Sequence, residues 1–190
     1  MILLGPTHRK AVRGLALPDA TAFRTPLGSI PLDTGVLQQL RQLPQVCTDD
    51  AAHRLEHSLE VHLPFLQQTL KDFTLVPILV GDATASEVCA VIEQLWGGRE
   101  TLLIVSSDLS HYHDYATATR LDQATSRAIE ALALEDIDHY DACGCNPVSG
   151  LLLYARQHGL HIRTVDLRNS GDTAGPRDQV VGYGAYVLSE

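Results

Sequence analysis

The chain has 190 residues, 45% of them hydrophobic and 19% charged, which suits one buried core and argues against a disordered chain. Lys and Arg number 14 against 23 Asp and Glu, a net charge of −9 that repels nucleic acid and anionic membrane surfaces alike. No apolar run approaches the roughly 18 residues of a membrane span. The first nine residues also lack a basic segment leading into a long apolar stretch. A cytoplasmic protein is therefore predicted, with Cys47, Cys89, Cys143 and Cys145 as thiols, suited to metal binding or burial ahead of disulfides.

No repeat, low-complexity tract or linker divides the chain, so residues 1–190 read as one domain. Apolar runs bounded by turn residues predict strands at 2–5, 73–80, 101–106, 161–167 and 180–188. The first delivers His8 through Gly5-Pro6-Thr7. Pro77 marks the second as a weaker strand or one at an edge. Residues 15–32 read as short strands and turns. Helical patterns fall between the strands. Asp33 caps one with Val36, Leu37, Leu40 and Leu43 on one face. A helix over 50–70 is interrupted or started near Pro64, and Ser86 caps another that stops at Gly97-Gly98. A long alanine-rich helix covers 115–134. A last one opens at Asn146-Pro147 and ends at Gly159. Alternating strands and helices predict an α/β fold with a mostly parallel sheet, whose ligands lie beyond the carboxyl ends of the strands.

Polar chemistry concentrates at those ends. The first strand ends in His8, the 101–106 strand runs into Ser106-Ser107-Asp108-Leu109-Ser110-His111, and the 161–167 strand ends in Asn169-Ser170-Gly171-Asp172. In a parallel sheet these loops share one rim; as ordinary turns they would need no ligand. Cys143-Gly144-Cys145 precedes a helix start, where the free N–H groups favour a thiolate; a pair of buried thiols is the plainer reading. On a helix, His53 and His57 would share a face, as would Glu56 and Glu60. His53-Arg54-Leu55-Glu56-His57 also matches H-x-x-E-H, a zinc peptidase pattern of five residues with three fixed.

Longer motifs point elsewhere. Gly5-Pro6-Thr7-His8-Arg9, Phe23-Arg24-Thr25-Pro26-Leu27-Gly28, Glu56-His57-Ser58-Leu59-Glu60-Val61-His62-Leu63-Pro64-Phe65 and Val76-Pro77-Ile78-Leu79-Val80-Gly81 come in that order. Ser106-Ser107-Asp108-Leu109-Ser110-His111, Cys143-Gly144 before Asn146-Pro147, Ser170-Gly171-Asp172 and Val181-Gly182-Tyr183 follow. In this series the chain resembles the Memo family, called AmmeMemoRadiSam system protein B in prokaryotes, over nearly its whole length. The family is similar in fold to the LigB-type class III extradiol dioxygenases.

The resemblance implies a three-layer α/β/α architecture around a metal-centred pocket. It places metal ligands at His8 and Cys143, with Asp108 and His111 at the pocket. His111 would be the general acid/base and Asp108 would orient it. Glu56, His57, Glu60 and Ser107 are expected near the same rim. The family's other histidine ligand lies in a P-H-A-G-Y-like motif of an N-terminal segment that these 190 residues are expected to lack. Either His57 or His111 could serve as the third ligand. Thiolate with imidazole suits iron, copper or zinc, and the resemblance favours iron or copper. The implied activity is metal-dependent oxidoreductase or dioxygenase-like chemistry. The alternative is a non-catalytic module that handles metal or binds a peptide or small molecule. Partners implied by the family are radical-SAM and AMMECR-like proteins of the same system, with neither nucleic acid nor membrane.

Overall fold

A computed structural model describes residues 1–189. The chain divides into two compact units, Met1–Ser106 and a second from Ser107 onward.

In the first unit, β1 (Ile2–Pro6), β2 (Leu15–Leu17), the hairpin of β3 (Ala22–Thr25) and β4 (Gly28–Pro31), and α1 (Thr34–Leu40) come first. They are followed by β5 (Val46–Thr48), α2 (Asp50–His53), α3 (Leu63–Thr69), β6 (Val76–Val80), α4 (Ala85–Leu95) and β7 (Leu103–Val105). Five of the strands form one sheet in the order β5-β2-β6-β1-β7. Its β2–β5, β1–β6 and β1–β7 pairs are parallel; only β2–β6 is antiparallel. The expected α/β class with a mostly parallel central sheet is thus present. Every residue of β1, β2 and β6 is buried, as strands covered on both faces must be. Leu3, Leu4, Leu15, Leu17, Ile78 and Leu79 form the centre of the core. Each such side chain contributes about 1.5–3 kcal/mol by leaving water.

β6 is not an edge strand, despite Pro77: it lies between β2 and β1. The Val76 N–H donates to the Met1 carbonyl beside β1, so by alternation the Pro77 nitrogen faces the β2 side. There β2 pairs with β6 only at Leu79 and Val80, and the missing donor leaves no gap in the ladder.

α1 is capped as expected, Asp33 accepting from the Val36 N–H at 3.1 Å. The cap of α4 is Thr84 and not Ser86. Thr84 and Glu87 satisfy each other's backbone N–H groups in a reciprocal box, which Ser86, with no acid three residues on, could not form. The helix expected over 50–70 is two short helices separated by an irregular stretch. α2 ends at His53, a 3-10 turn covers Glu60–His62, and Pro64 sits in the first turn of α3.

The second unit contains β8 (His111–His113), α5 (Tyr115–Glu130), α6 (Cys145–His158), β9 (His161–Asn169) and β10 (Val180–Ser189). Its three strands form an antiparallel sheet in the order β8-β10-β9. The strand ending at Asn169 therefore belongs to an antiparallel sheet, where the sequence expectation had a parallel one. A short connection allows β9 and β10 to pair antiparallel without a crossover helix. α5 stops at Glu130, four residues short of expectation, where the chain turns through Leu132 at φ 56°. α6 begins at Cys145 and not at Asn146, so Pro147 falls at its third position, where its missing N–H is one the helix would not have used. Gly159 ends it in the left-handed conformation, φ 63°, as predicted.

Candidate functional site

In the first unit, β1 carries the chain through Pro6 to His8, and the irregular stretch after α2 brings Glu56 and His57 to meet it. The Glu56 side chain is 2% exposed, while those of His8 and His57 are 32% and 60% exposed. His8 Nδ1 lies 2.9 Å and His57 Nδ1 3.4 Å from the same oxygen, Glu56 Oε1. The two imidazoles stack, with centroids 4.8 Å apart and planes at 22°. One ligand atom from each of the three residues lies within 4.8 Å of the others, close enough to surround an ion.

Glu56 is held by backbone. Its Oε1 accepts from the N–H groups of His57 at 2.9 Å and Ser58 at 3.1 Å. Its Oε2 accepts from those of His8 and of Arg9, the latter at 3.3 Å. Ser58 ties the same loops together by donating its hydroxyl to the Pro6 carbonyl at 2.8 Å. Burial alone would raise the Glu56 pKa, but the His8 and other N–H donors override it and hold the carboxyl at about 2.

Glu60 is exposed at the start of the 3-10 turn. With Phe23, His53, Arg54 and Leu59 it lines a cavity of about 500 Å³, one wall of which is Glu56. His53 does not join His57. Its Nε2 lies 3.0 Å from the Ala16 carbonyl, and the helix ends before the second histidine. The one-faced arrangement that H-x-x-E-H chemistry requires is absent here. A contact the sequence did not suggest is His62 Nε2 to the Ser106 hydroxyl, 2.9 Å, beyond the carboxyl end of β7. The only sequence signal for it was the position of Ser106 at a strand end.

The second unit gathers Ser107, Asp108, His111 and Cys143. The Asp108 N–H donates to Cys143 Sγ at 3.2 Å, and the Cys143 N–H donates to the Asp108 carbonyl at 3.2 Å. Ser107 Oγ lies 3.8 Å from the same sulfur, accepts from the Gly144 N–H at 2.9 Å and donates to the Asp108 carbonyl at 2.7 Å. His111 Nε2 is 3.6 Å from Asp108 Oδ2, an ion-pair distance but long for a hydrogen bond. Burial pushes the Cys143 thiol above its ordinary range in spite of the Asp108 N–H, which works against the expected thiolate. Cys143 precedes the capping Gly144 and so lies outside the first turn, where the helix N–H groups would act on it. Cys145 is higher still, pushed by burial to about 11, with its Sγ 3.1 Å from His139 Nδ1. Among the described residues none of the four cysteines is in a disulfide.

The donor chemistry fits a divalent metal at His8. An imidazole whose inner nitrogen is tied to a carboxylate presents its outer nitrogen as a ligand, the usual arrangement in metal sites. Cys143 offers a soft sulfur that becomes a ligand on losing its proton.

A family model described as Memo-like protein matches residues 1–187. A MEMO1 family protein of Archaeoglobus fulgidus is 36% identical over 206 aligned positions, spanning 98% of this chain and 75% of its own length. MEMO1 family proteins of Aeropyrum pernix and Saccharolobus solfataricus are 34% and 31% identical. They span 97% and 96% of this chain and 70% and 69% of their own lengths. Matched by the family model over residues 1–187 and by a relative 36% identical across 98% of the chain, this protein belongs to the Memo family.

Proposed function

We propose that this protein binds a divalent metal ion at His8 and uses it in oxygen or redox chemistry on a small molecule. The observation that carries the reading is the buried, backbone-held Glu56 with two stacked imidazoles on one of its oxygens. A carboxylate placed in this way orients the His8 imidazole, with that of His57 stacked beside it. Bound iron or copper would supply the redox chemistry, and zinc would supply Lewis acidity alone.

His57, the more exposed of the pair, can ligate beside His8 or take up a proton next to it. The cavity lined by Phe23, His53 and Glu60 is large enough for a small organic substrate or a peptide side chain. In the second unit, His111 beside Asp108 is suited to proton transfer, and Cys143 to metal ligation once deprotonated. A place in an AmmeMemoRadiSam system, with radical-SAM and AMMECR-like partners, is the biological setting we propose. The charge of −9 supports neither a nucleic-acid nor a membrane partner. Among the described residues no helix is long and apolar enough to cross a membrane.

The second reading is a non-catalytic metal-handling or ligand-binding module. It is favoured by the Cys143 thiol, which burial pushes up and so away from the thiolate. Metal analysis of the anaerobically purified chain separates the readings, run beside His8→Ala and Cys143→Ala variants. Near one equivalent of iron or copper in the parent, lost in His8→Ala, together with oxygen uptake on a catechol, supports the oxidoreductase. Metal retained without any oxygen uptake supports the module. Metal content unchanged in His8→Ala would remove His8 from the site.

A further inference from the structure

His8, Glu56 and His57 lie close enough to be three ligands of one ion, but their hydrogen bonds divide them into different roles. A carboxylate has about four lone-pair sites on its two oxygens. At Glu56, two backbone N–H groups, of His57 and Ser58, already occupy Oε1, and the His8 ring nitrogen approaches the same atom at 2.9 Å. The N–H groups of His8 and Arg9 occupy Oε2. A cation placed on either oxygen would displace N–H donors beside a side chain that is 2% exposed, and buried donors without acceptors are costly.

The same donors fix the tautomer of His8. Both oxygens accept from backbone, so neither is free to carry a proton of its own. The ring nitrogen facing Oε1 must then be the donor. In a neutral imidazole the proton on Nδ1 leaves the lone pair on Nε2.

We infer that Glu56 is a positioning residue and not a metal ligand: it fixes His8 as the Nδ1–H tautomer and leaves Nε2 as the donor to a divalent cation. The part concerning the cation rests on the proposed function above; the tautomer does not. His57 is held more loosely, since its Nδ1 lies 3.4 Å from an oxygen that already has three donors. Its ring stacks on that of His8, centroids 4.8 Å apart, and is the freer of the two. The assignment leaves this unit two imidazole donors in place of a His-Glu-His set, so it favours metals that accept nitrogen ligands over those that require oxygen.

The test is nitrogen-15 NMR of the histidine side chains of the full chain, without metal and then with added Zn(II). In the parent, His8 should show the Nδ1–H form, and Zn(II) should shift its Nε2 while the amide signals of His57 and Ser58 stay in place. Glu56→Gln, with folding checked by circular dichroism, should lose the single tautomer and bind Zn(II) about 10–100-fold more weakly. An Nε2–H form in the unmodified protein would overturn the inference without any variant. So would large shifts of the His57 and Ser58 amides on adding Zn(II), which would mark Glu56 as a ligand. The Nδ1–H form together with no Zn(II) binding at all would leave the positioning role standing and remove the metal-centre reading.

Discussion

Protonating Glu56 would disrupt contacts to four backbone N–H groups at once. Its carboxyl is held at about 2 against an ordinary 4.5, which corresponds to about 3 kcal/mol of folding stability for a side chain this deeply buried. Because the folded value lies below the unfolded one, this stability is fully present above about pH 4.5. It is lost as the pH falls toward about 2. Urea unfolding at intervals between pH 6 and pH 2 should show that decline in the parent and a flatter one in Glu56→Gln. The sequence alone showed Glu56 as one of a row of acids and histidines. Its distinction from Glu60, four residues on and exposed, lies in main-chain groups that come together only when residues 6–9 and 56–58 meet. For the same reason Cys143 was legible as a candidate but its protonation was not. The helix start was visible in Gly144-Cys145-Asn146-Pro147, whereas the burial that outweighs it was not.

At the level of elements, β1 and β6 were legible because their apolar runs are continuous, as buried strands require, whereas the three-residue β5 and β8 carry too short a pattern and were not expected. The pairing of the strands was not legible. The continuous run of β6 and the alternation of β9 differ, but neither names its neighbours: β6 lies between β2 and β1, and β9 pairs antiparallel with β10. Helix ends were legible where one residue dictates them, as Asp33 and Gly159 do. The helix over residues 50–70 was overread because its histidines and glutamates suit a helix face, while the backbone bends to bring Glu56 to His8. Two glycines offer a contrast that stability measurements can check. A Cβ on Gly182 would lie 2.1 Å from a carboxylate oxygen of buried Asp122, which accepts from the Ser110 N–H at 3.0 Å. Gly182→Ala should therefore destabilise by roughly 2 kcal/mol or more, by displacing a buried charged group. A Cβ on Gly159 would meet nothing within 4 Å, but the left-handed backbone there disfavours it. Gly159→Ala should cost about 1 kcal/mol. Equal losses in chemical denaturation would contradict this distinction.

At the scale of the whole molecule, the family match covers residues 1–187, so membership was legible from motifs spread along the chain. The chemistry is more local, and shared ancestry does not transfer an activity. Net charge is the whole-molecule property with the plainest consequence. At −9 the chain should give no change in the fluorescence anisotropy of a labelled duplex at about 150 mM salt. Binding under those conditions would reveal a basic patch strong enough to overcome the overall repulsion.

Glu56 also joins two loops that are 48 residues apart in sequence. The amides of His8, Arg9, His57 and Ser58 belong to no helix or strand, and amides in such places ordinarily trade their hydrogens for deuterium quickly. Here all four end on one carboxylate, so none is released unless the tether opens. They should exchange slowly and at a common rate, as a small cooperative unit lying outside the regular secondary structure.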